Sequence, residues 1–202
     1  MNALNYLAAA ALSLVVIAPS QVQAQSFEEG SKAINLGVGV GGYSRYVVGY
    51  SRLGISPTFL AAMDIGFKKA GPGIIGIGGL VGLKASRSSS IYGDYRSTHL
   101  VVGVRGTYHW NEWHGREDLD IYGGVMFGAN IRVSEKYDYN TYGYNYYYGN
   151  TVTGRTVNTL ANNYPIYDVF VGARYMFANV LGVYAEVGPG VTLVNGGLTF
   201  MF

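Results

Sequence analysis

The sequence predicts an all-β protein, an eight-stranded antiparallel up-and-down transmembrane β-barrel preceded by a cleavable signal peptide. Three observations lead to this prediction. In eight segments, apolar residues recur at every second position. One face of each segment is therefore apolar, while the other mixes glycine with ionisable residues. The connections between the segments alternate between short and long. The segments after residue 24 also lack the ~18 or more uninterrupted apolar residues that a membrane helix needs.

The composition narrows the class of protein. The chain has 202 residues, of which 30 are Gly and 19 are Tyr, and only 13% are charged, which favours one domain of strands and turns. It contains no cysteine, so we predict neither a disulfide framework nor a lipid-modified cysteine anchor. The net charge of +2, with scattered Lys and Arg, is too small to indicate a nucleic-acid partner. We expect no cofactor.

The first 24 residues are predicted to be a signal peptide. They carry no charged side chain, and an apolar core from Leu7 to Ala18 is followed by a polar stretch that ends at Ala24. A membrane-anchoring helix is the alternative, but the apolar run is short and Gln21 and Gln23 follow it. We therefore expect two parts, a signal peptide at 1–24 and a barrel domain at 25–202.

Eight segments with the alternating pattern are predicted as strands. They span residues 32–43, 57–67, 74–85, 96–110, 118–133, 164–177, 183–189 and 193–202. In the last of them, Leu198, Phe200 and Phe202 share one face, whereas Thr199 and Met201 share the other. A soluble sheet would need a further layer to cover that aromatic face, so we expect lipid to cover it.

The polar faces carry nearly all the ionisable residues found inside the predicted strands. A soluble ligand-carrying barrel would place apolar side chains inside and polar ones outside, so the opposite arrangement is expected when the outer wall meets lipid. The residues predicted to face the lumen are Asp64, Lys84, Arg105, Asp120, Arg132, Asp168, Arg174 and Glu186.

A hairpin centred on Val180 would place Arg174 directly opposite Glu186, and an ion pair is predicted there. Because enclosed charges are costly unless they are paired, the other six lumen residues are expected to share one network with this pair. The network could be a proton or ion path or a polar plug. The interior of an eight-stranded barrel is about wide enough for side chains alone, which favours the plug.

The connections predict the orientation of the barrel. Short connections at 68–73, 111–117 and 178–182 are expected to be periplasmic turns, and long ones at 44–56, 86–95 and 134–163 outer loops; the last hairpin, at 188–192, is tight. Both termini would then lie in the periplasm. Aromatic residues gather at the ends assigned to the periplasm, as an interfacial girdle would: Phe67, Tyr108, Trp110, Trp113, Tyr175, Phe177, Phe200 and Phe202.

Three motifs carry a resemblance to a known family. They are VGARYMF (171–177), NVLGVYAEVG (179–188) and the terminal GLTFMF (197–202). With them the chain resembles bacterial eight-stranded outer-membrane barrels of the OmpX and OmpW kind, and especially the "outer membrane protein beta-barrel domain" proteins common in Bacteroidetes. The resemblance implies an outer-membrane location, contact with its lipid, and insertion by the assembly machinery, with Phe200 and Phe202 as the assembly signal.

The long loop 134–163 is the most distinctive surface. Its tyrosines are Tyr137, Tyr139, Tyr142, Tyr144, Tyr146, Tyr147 and Tyr148. Tyrosine with Asn and Gly is typical of binding surfaces, so we predict an extracellular glycan or protein ligand. A hairpin stabilised by cross-strand Tyr pairs is the alternative.

Catalytic and metal sites are not predicted. His99 with Ser97 and Asp94 is the candidate cluster for a lipid-modifying enzyme, but its spacing matches no pattern of such enzymes. His109 and His114 flank a turn, where a metal site would be exposed and has no recognised spacing. We therefore predict a structural or surface-interaction protein of the outer membrane. A small passive pore is the alternative, and a lipid-modifying enzyme stands behind it.

Overall fold

The computed structural model describes residues 26–42, 57–90, 93–139 and 163–202. Within these residues, eight antiparallel strands form one closed barrel in which each strand pairs with its sequence neighbours and β1 pairs with β8. The predicted signal peptide lies outside the described residues. The strands are β1 (Lys32–Val40), β2 (Thr58–Ala70), β3 (Gly73–Ser90), β4 (Gly93–His109), β5 (Leu119–Tyr139), β6 (Tyr164–Met176), β7 (Leu181–Val187) and β8 (Val194–Met201).

The strands are staggered around the barrel. Gly39 of β1 has one paired residue on each neighbouring strand. When this pairing is traced through β2, β3 and β4, it reaches Arg132 of β5. When the pairing of Gly39 is traced the other way, through β8, β7 and β6, it reaches Tyr122 of β5, which is ten residues from Arg132. A closed barrel with such a stagger has strongly tilted strands. Residues far apart in sequence therefore meet across the lumen.

The predicted alternation of faces is confirmed. Phe59, Val104 and Phe127 are 60%, 67% and 65% exposed on the outer wall. Neighbouring positions of the same strands, such as Leu60 and Arg105, are buried inside. The outer wall is therefore apolar and the lumen largely polar, although no second layer of the described chain covers the wall.

We name the two ends of the barrel by their connections. The turn end holds the connections after β2, β4 and β6, and the loop end is opposite. At the turn end, the predicted short connection after β2 is confirmed, but it is narrower than 68–73, because β2 continues to Ala70 and β3 begins at Gly73. The two residues between them are Gly71, with φ of 60°, and Pro72. A glycine at the first central position suits the tight two-residue hairpin turn.

At the loop end, the predicted 86–95 loop is wrong. Strands β3 and β4 pair as far as Ser90 and Gly93, and β5 continues to Tyr139, so 134–139 is strand rather than loop. The residues of these strand extensions show no apolar alternation in the sequence, so the period-two pattern did not mark them as strand. Strands β3, β4 and β5 have 18, 17 and 21 residues against 7 and 8 for β7 and β8. One side of the barrel is thus much taller.

A segment before β1 closes the turn end, which the sequence did not predict. Phe27 is 1% exposed, and its ring stacks on that of His109 with 3.8 Å between centroids. The main chain of Gly66 anchors the segment, accepting a hydrogen bond from Gly30 N at 2.9 Å and donating one to Ser31 O at 2.8 Å. The β2–β3 register shifts between Gly66 and Lys68, next to this anchor. Phe27 therefore covers the turn end of the lumen.

Candidate functional sites inside the barrel

An ion network fills the turn-end half of the lumen. Arg174 Nη1 donates to Asp120 Oδ2 at 2.8 Å, and Arg174 Nη2 pairs with Asp64. Arg105 lies between two carboxylates, 2.9 Å from Asp64 Oδ1 and 2.7 Å from Glu186 Oε1. All these side chains are buried. The ion network, defined as Asp64, Arg105, Asp120, Arg174 and Glu186, links β2, β4, β5, β6 and β7.

Aromatic rings pack against the ion network. The guanidinium of Arg174 lies 4.1 Å from the ring centre of Tyr122, and that of Arg105 lies 4.2 Å from the ring centre of Phe170. Tyr122 also donates a hydrogen bond to Glu186 at 2.8 Å. A cavity of about 10 Å³ bounded by Arg105, Phe170 and Glu186 is about the size of one water molecule. The middle of the lumen is thus filled by side chains.

The predicted ion pair between Arg174 and Glu186 is wrong. In the register, Arg174 lies opposite Tyr184, and Glu186 lies opposite Gly172. The β6–β7 hairpin is therefore centred on Asn179 rather than Val180, and Glu186 shifts by two residues along the wall. A shift of two residues leaves every side chain on the same face, so the apolar pattern contains no information about it.

All eight residues predicted to face the lumen are buried, but two of them bind main-chain groups outside the ion network. Lys84 Nζ donates to Gly41 O at 3.0 Å. Asp168 accepts hydrogen bonds from Gly190 N at 2.8 Å and Val191 N at 3.1 Å, and this holds the β7–β8 turn inside the barrel. The prediction of one network shared by all of them is therefore wrong for Lys84 and Asp168. Arg132 is buried at the level of His99.

Two similar hydrogen-bonded chains connect β4 with β5. In the turn-end chain, Thr107 Oγ1 lies 3.0 Å from His109 Nε2, and His109 Nδ1 lies 2.9 Å from Asp120 Oδ1. The loop-end chain is formed by Ser97, His99 and Asn130. Each chain has a hydroxyl residue two positions before a histidine on one strand, because such positions point to the same face.

The loop-end chain has the connectivity of a catalytic triad. Ser97 Oγ lies 3.3 Å from His99 Nε2, and His99 Nδ1 lies 2.8 Å from Asn130 Oδ1. Sequence reasoning grouped His99 with Ser97 and Asp94 and missed Asn130. The sequence did place Asn130 on the polar face of β5, so it could have been considered as a partner. Only the pairing of β4 with β5 shows that Asn130 reaches His99. The described part of Asp94 is its main chain, which pairs with Ser89.

A cavity lies beside the loop-end chain. Its volume is about 310 Å³, and its lining is mostly apolar. Asn130 belongs both to the cavity wall and to the loop-end chain. The loop-end cavity is lined among others by Lys84, Val101, Asn130, Tyr164, Ile166 and Val191.

Outside the lumen, the turn end carries exposed ion pairs. Arg116 binds Asp118 through two hydrogen bonds of 2.9 Å and 2.6 Å, and these lower the pKa of the Asp118 carboxyl below its usual value. Lys69 pairs with Glu112 at 2.5 Å, which raises the pKa of Lys69. Among the described residues, no group of three or more His, Cys, Asp or Glu could hold a metal ion.

The remaining predicted residues fall at the ends of the barrel. Phe202 is 52% exposed on the outer wall, and its main chain exchanges hydrogen bonds with Lys32 at 2.7 Å and 3.0 Å. Phe200 is on the same face. Tyr137 and Tyr139 belong to β5, where the structure describes their main chain. The other five tyrosines of the predicted binding loop lie outside the described residues.

Comparison with known proteins does not extend these observations: no family model matches the chain, and no curated protein is significantly similar to it. The described parts of the chain contain no helix long and apolar enough to cross a membrane.

Proposed function

We propose that the protein is an integral outer-membrane protein with a structural or surface-interaction role, with both termini and the turn end in the periplasm. The observation that carries the proposal is the inversion of the usual arrangement, with exposed apolar side chains around the barrel and buried charges within it. Exposed apolar patches larger than a few hundred Å² mark interaction or membrane surfaces. On this proposal, Phe200 and Phe202 are the signal for the outer-membrane assembly machinery.

The position of Val104 allows a direct test of membrane insertion. Val104 is outward-facing on β4, five residues from the end of that strand at the turn end. Val104→Arg should lower the free energy of unfolding in phospholipid vesicles by ~2–4 kcal/mol, since Arg would face hydrocarbon. The measurement is the urea-unfolding transition. The folded fraction at each urea concentration is determined from the difference in gel mobility between boiled and unboiled protein.

The matched control is Asn179→Arg, which places the same charge on an exposed turn residue. It should leave the transition unchanged. A barrel standing in water would tolerate both substitutions equally, because surface changes away from specific contacts usually matter little. Equal transitions for Val104→Arg and the native protein, or a barrel that is soluble without detergent, would contradict the proposal.

The surface-interaction role is supported by the tall side of the barrel. Strands β3, β4 and β5 extend beyond the other strands at the loop end, and β5 leads into the Tyr-rich stretch. β6 begins at Tyr164, which pairs with Asn130, so nine further residues of β5 project past it. A projecting sheet that carries amphipathic rings suits contact with a glycan ring or another protein surface.

We expect this role to depend on the tyrosines at 142–148. Replacing all five by Ser should abolish binding of cells that display the protein to arrays of glycans and surface proteins, because the rings supply most of the contact area. Trp113→Ser is the control, since Trp113 is 70% exposed at the opposite end of the barrel. Binding that survives the five substitutions would exclude this loop as the contact surface.

A small passive pore is the second candidate, favoured by the polar lumen. Against it stand Phe27, which is buried at the turn end, and the ion network in the middle, where the cavity beside Arg105 is only about 10 Å³. Conductance measurements on the native protein and on Phe27→Ala separate the two candidates.

A further inference from the structure

We propose that Ser97, His99 and Asn130 form a serine-nucleophile centre that hydrolyses an acyl ester of an amphiphile whose chain occupies the loop-end cavity. This goes beyond the proposed structural or interaction role, and either can fail without the other.

The hydrogen bonds define the tautomer of His99 when its ring is neutral. Asn130 Oδ1 can only accept, so the 2.8 Å contact requires His99 Nδ1 to carry its proton. The neutral ring then has its lone pair on Nε2, which faces Ser97 Oγ at 3.3 Å. Ser97 therefore donates to a base that is oriented by a third residue. Nucleophilic serine catalysis needs this order of groups, and apo distances are often slightly long.

The position in the fold also suits a site. The β4–β5 register shifts between Thr98 and His99, in the middle of the Ser97-x-His99 pair. Bulges are frequent at barrel rims and beside active sites, where they redirect side chains. His99 lies between Lys84 and Arg132 in the register, so two cations flank it at the same level. Positive charge there would stabilise the oxyanion that forms when an ester is attacked.

The cavity indicates the class of substrate. Val101, Ile166 and Val191 provide an apolar surface, and a volume of about 310 Å³ is at the small end of ligand sites. Lys84 adds an ammonium group whose one hydrogen bond among the described residues goes to Gly41 O. An acyl chain would lie on the apolar wall, and an anionic head group would be near Lys84. The substrate is thus an acyl ester of an anionic amphiphile.

The reaction uses water as its only co-reactant. Ser97 Oγ attacks the ester carbonyl carbon, and its proton passes to His99 Nε2. The bond from the carbonyl carbon to the alcohol oxygen breaks, and His99 returns the proton to that oxygen, which releases the alcohol. Water, deprotonated by His99, then attacks the Ser97 acyl ester and releases the fatty acid, which restores the serine hydroxyl.

The turn-end chain provides an internal control. Thr107, His109 and Asp120 have the same connectivity, but His109 is fully buried beneath Phe27 and Asp120 is bound to Arg174. A substrate cannot reach Thr107 without displacing that packing. Reactivity should therefore be confined to Ser97.

The experiment treats the full-length native barrel in detergent micelles with an alkyl fluorophosphonate and maps the adduct by mass spectrometry. Ser97 Oγ displaces fluoride from phosphorus, so a stable adduct at Ser97 is expected. Ser97→Ala should lose it. His99→Asn should slow labelling by ~10²–10⁴-fold, the usual contribution of a general base. Asn130→Leu removes the acceptor for His99 Nδ1 and should slow labelling, whereas Thr107→Val lies outside the centre and should preserve it.

Hydrolysis of p-nitrophenyl esters tests the cavity. Decanoyl ester should be hydrolysed at least ~10-fold faster than acetyl ester, since even one methylene in an apolar pocket is worth ~10-fold or more. Each variant is first shown to be folded by the difference in gel mobility between boiled and unboiled protein. Absence of an adduct on the folded native barrel, or labelling unaffected by His99→Asn, would overturn the centre. Equal rates for the two esters would overturn the role of the cavity.

Discussion

The two halves of the lumen are built from similar residues but are connected differently. In the turn-end half, charged side chains from five strands meet across the barrel under the cover of Phe27. In the loop-end half, hydrogen bonds join Ser97, His99 and Asn130 across the neighbouring strands β4 and β5, beside a cavity of about 310 Å³. Among the described residues, the turn-end half is therefore filled by side chains, whereas the loop-end half contains a cavity.

The difference shows what a charge network inside a barrel can do. Ion pairs taken out of water rarely add net stability, but removal of one partner leaves an uncompensated charge. Contacts across the lumen also fix which strands face each other, whereas contacts between neighbours do not. We infer that the turn-end half holds the barrel in one arrangement, while the loop-end half contributes less to that arrangement.

The largest expected effect follows removal of a cation from the turn-end half. Arg174→Met keeps much of the volume but leaves the Asp64 and Asp120 carboxylates without their shared guanidinium. It should lower the free energy of unfolding by ~3–5 kcal/mol, measured by urea unfolding in vesicles. Lys84→Met, which removes a cation bound to one main-chain oxygen, should cost much less. Equal effects would show that the two halves do not differ in this way.

The next effect concerns the cover of the turn-end half. Phe27→Ala removes a buried ring and should destabilise the barrel by ~3 kcal/mol, near the lower end for buried Phe. It should also expose His109 to modification by diethyl pyrocarbonate, because the stacked ring is gone. Phe59→Ala, on the outer wall, is the control and should leave His109 protected.

The same variant distinguishes a plug from a pore. If Phe27 merely covers a filled lumen, the native protein and Phe27→Ala should both show no steady conductance in planar bilayers, since the ion network remains. Conductance in the native protein would favour the pore. Conductance only in the variant would show that Phe27 acts as a gate.

The smallest effect compares the two hydroxyl groups. Thr107→Val leaves His109 Nε2 buried without its partner and should cost ~1–3 kcal/mol. Ser97→Ala should cost less, because the neighbouring cavity is large enough for water to approach the loop-end chain. Urea unfolding of both variants measures the difference. A larger loss for Ser97→Ala would mean that the loop-end half is packed as tightly as the turn-end half.

Much of the fold could be predicted, because the alternation of apolar and polar residues along a strand depends only on the sequence of that strand. Alternation identified the number of strands and placed Arg105, Asp120 and Arg174 inside, and the structure agrees. The prediction failed where local pattern is absent. Strand extensions at the loop end have no apolar alternation, and Phe27 lies in a segment that is not a strand.

The sequence predicted most of the residues of the candidate sites, but it did not predict which of these residues contact each other. Sequence reasoning grouped Ser97 with His99 and Asp94, which are close together along the chain. It could not find Asn130, and it paired Arg174 with Glu186 instead of Asp64 and Asp120. Both results depend on register and closure, which a shift of two residues changes without any change of face.

By itself, the sequence determined that the chain forms eight strands with an apolar and a polar face, because side-chain direction alternates along any extended strand. Only the tertiary structure decided which polar groups meet. Closure with a stagger of ten residues brings β2, β5 and β6 together around Arg174, and the segment before β1 folds back over His109. These contacts depend on distances across the lumen, which no local pattern encodes.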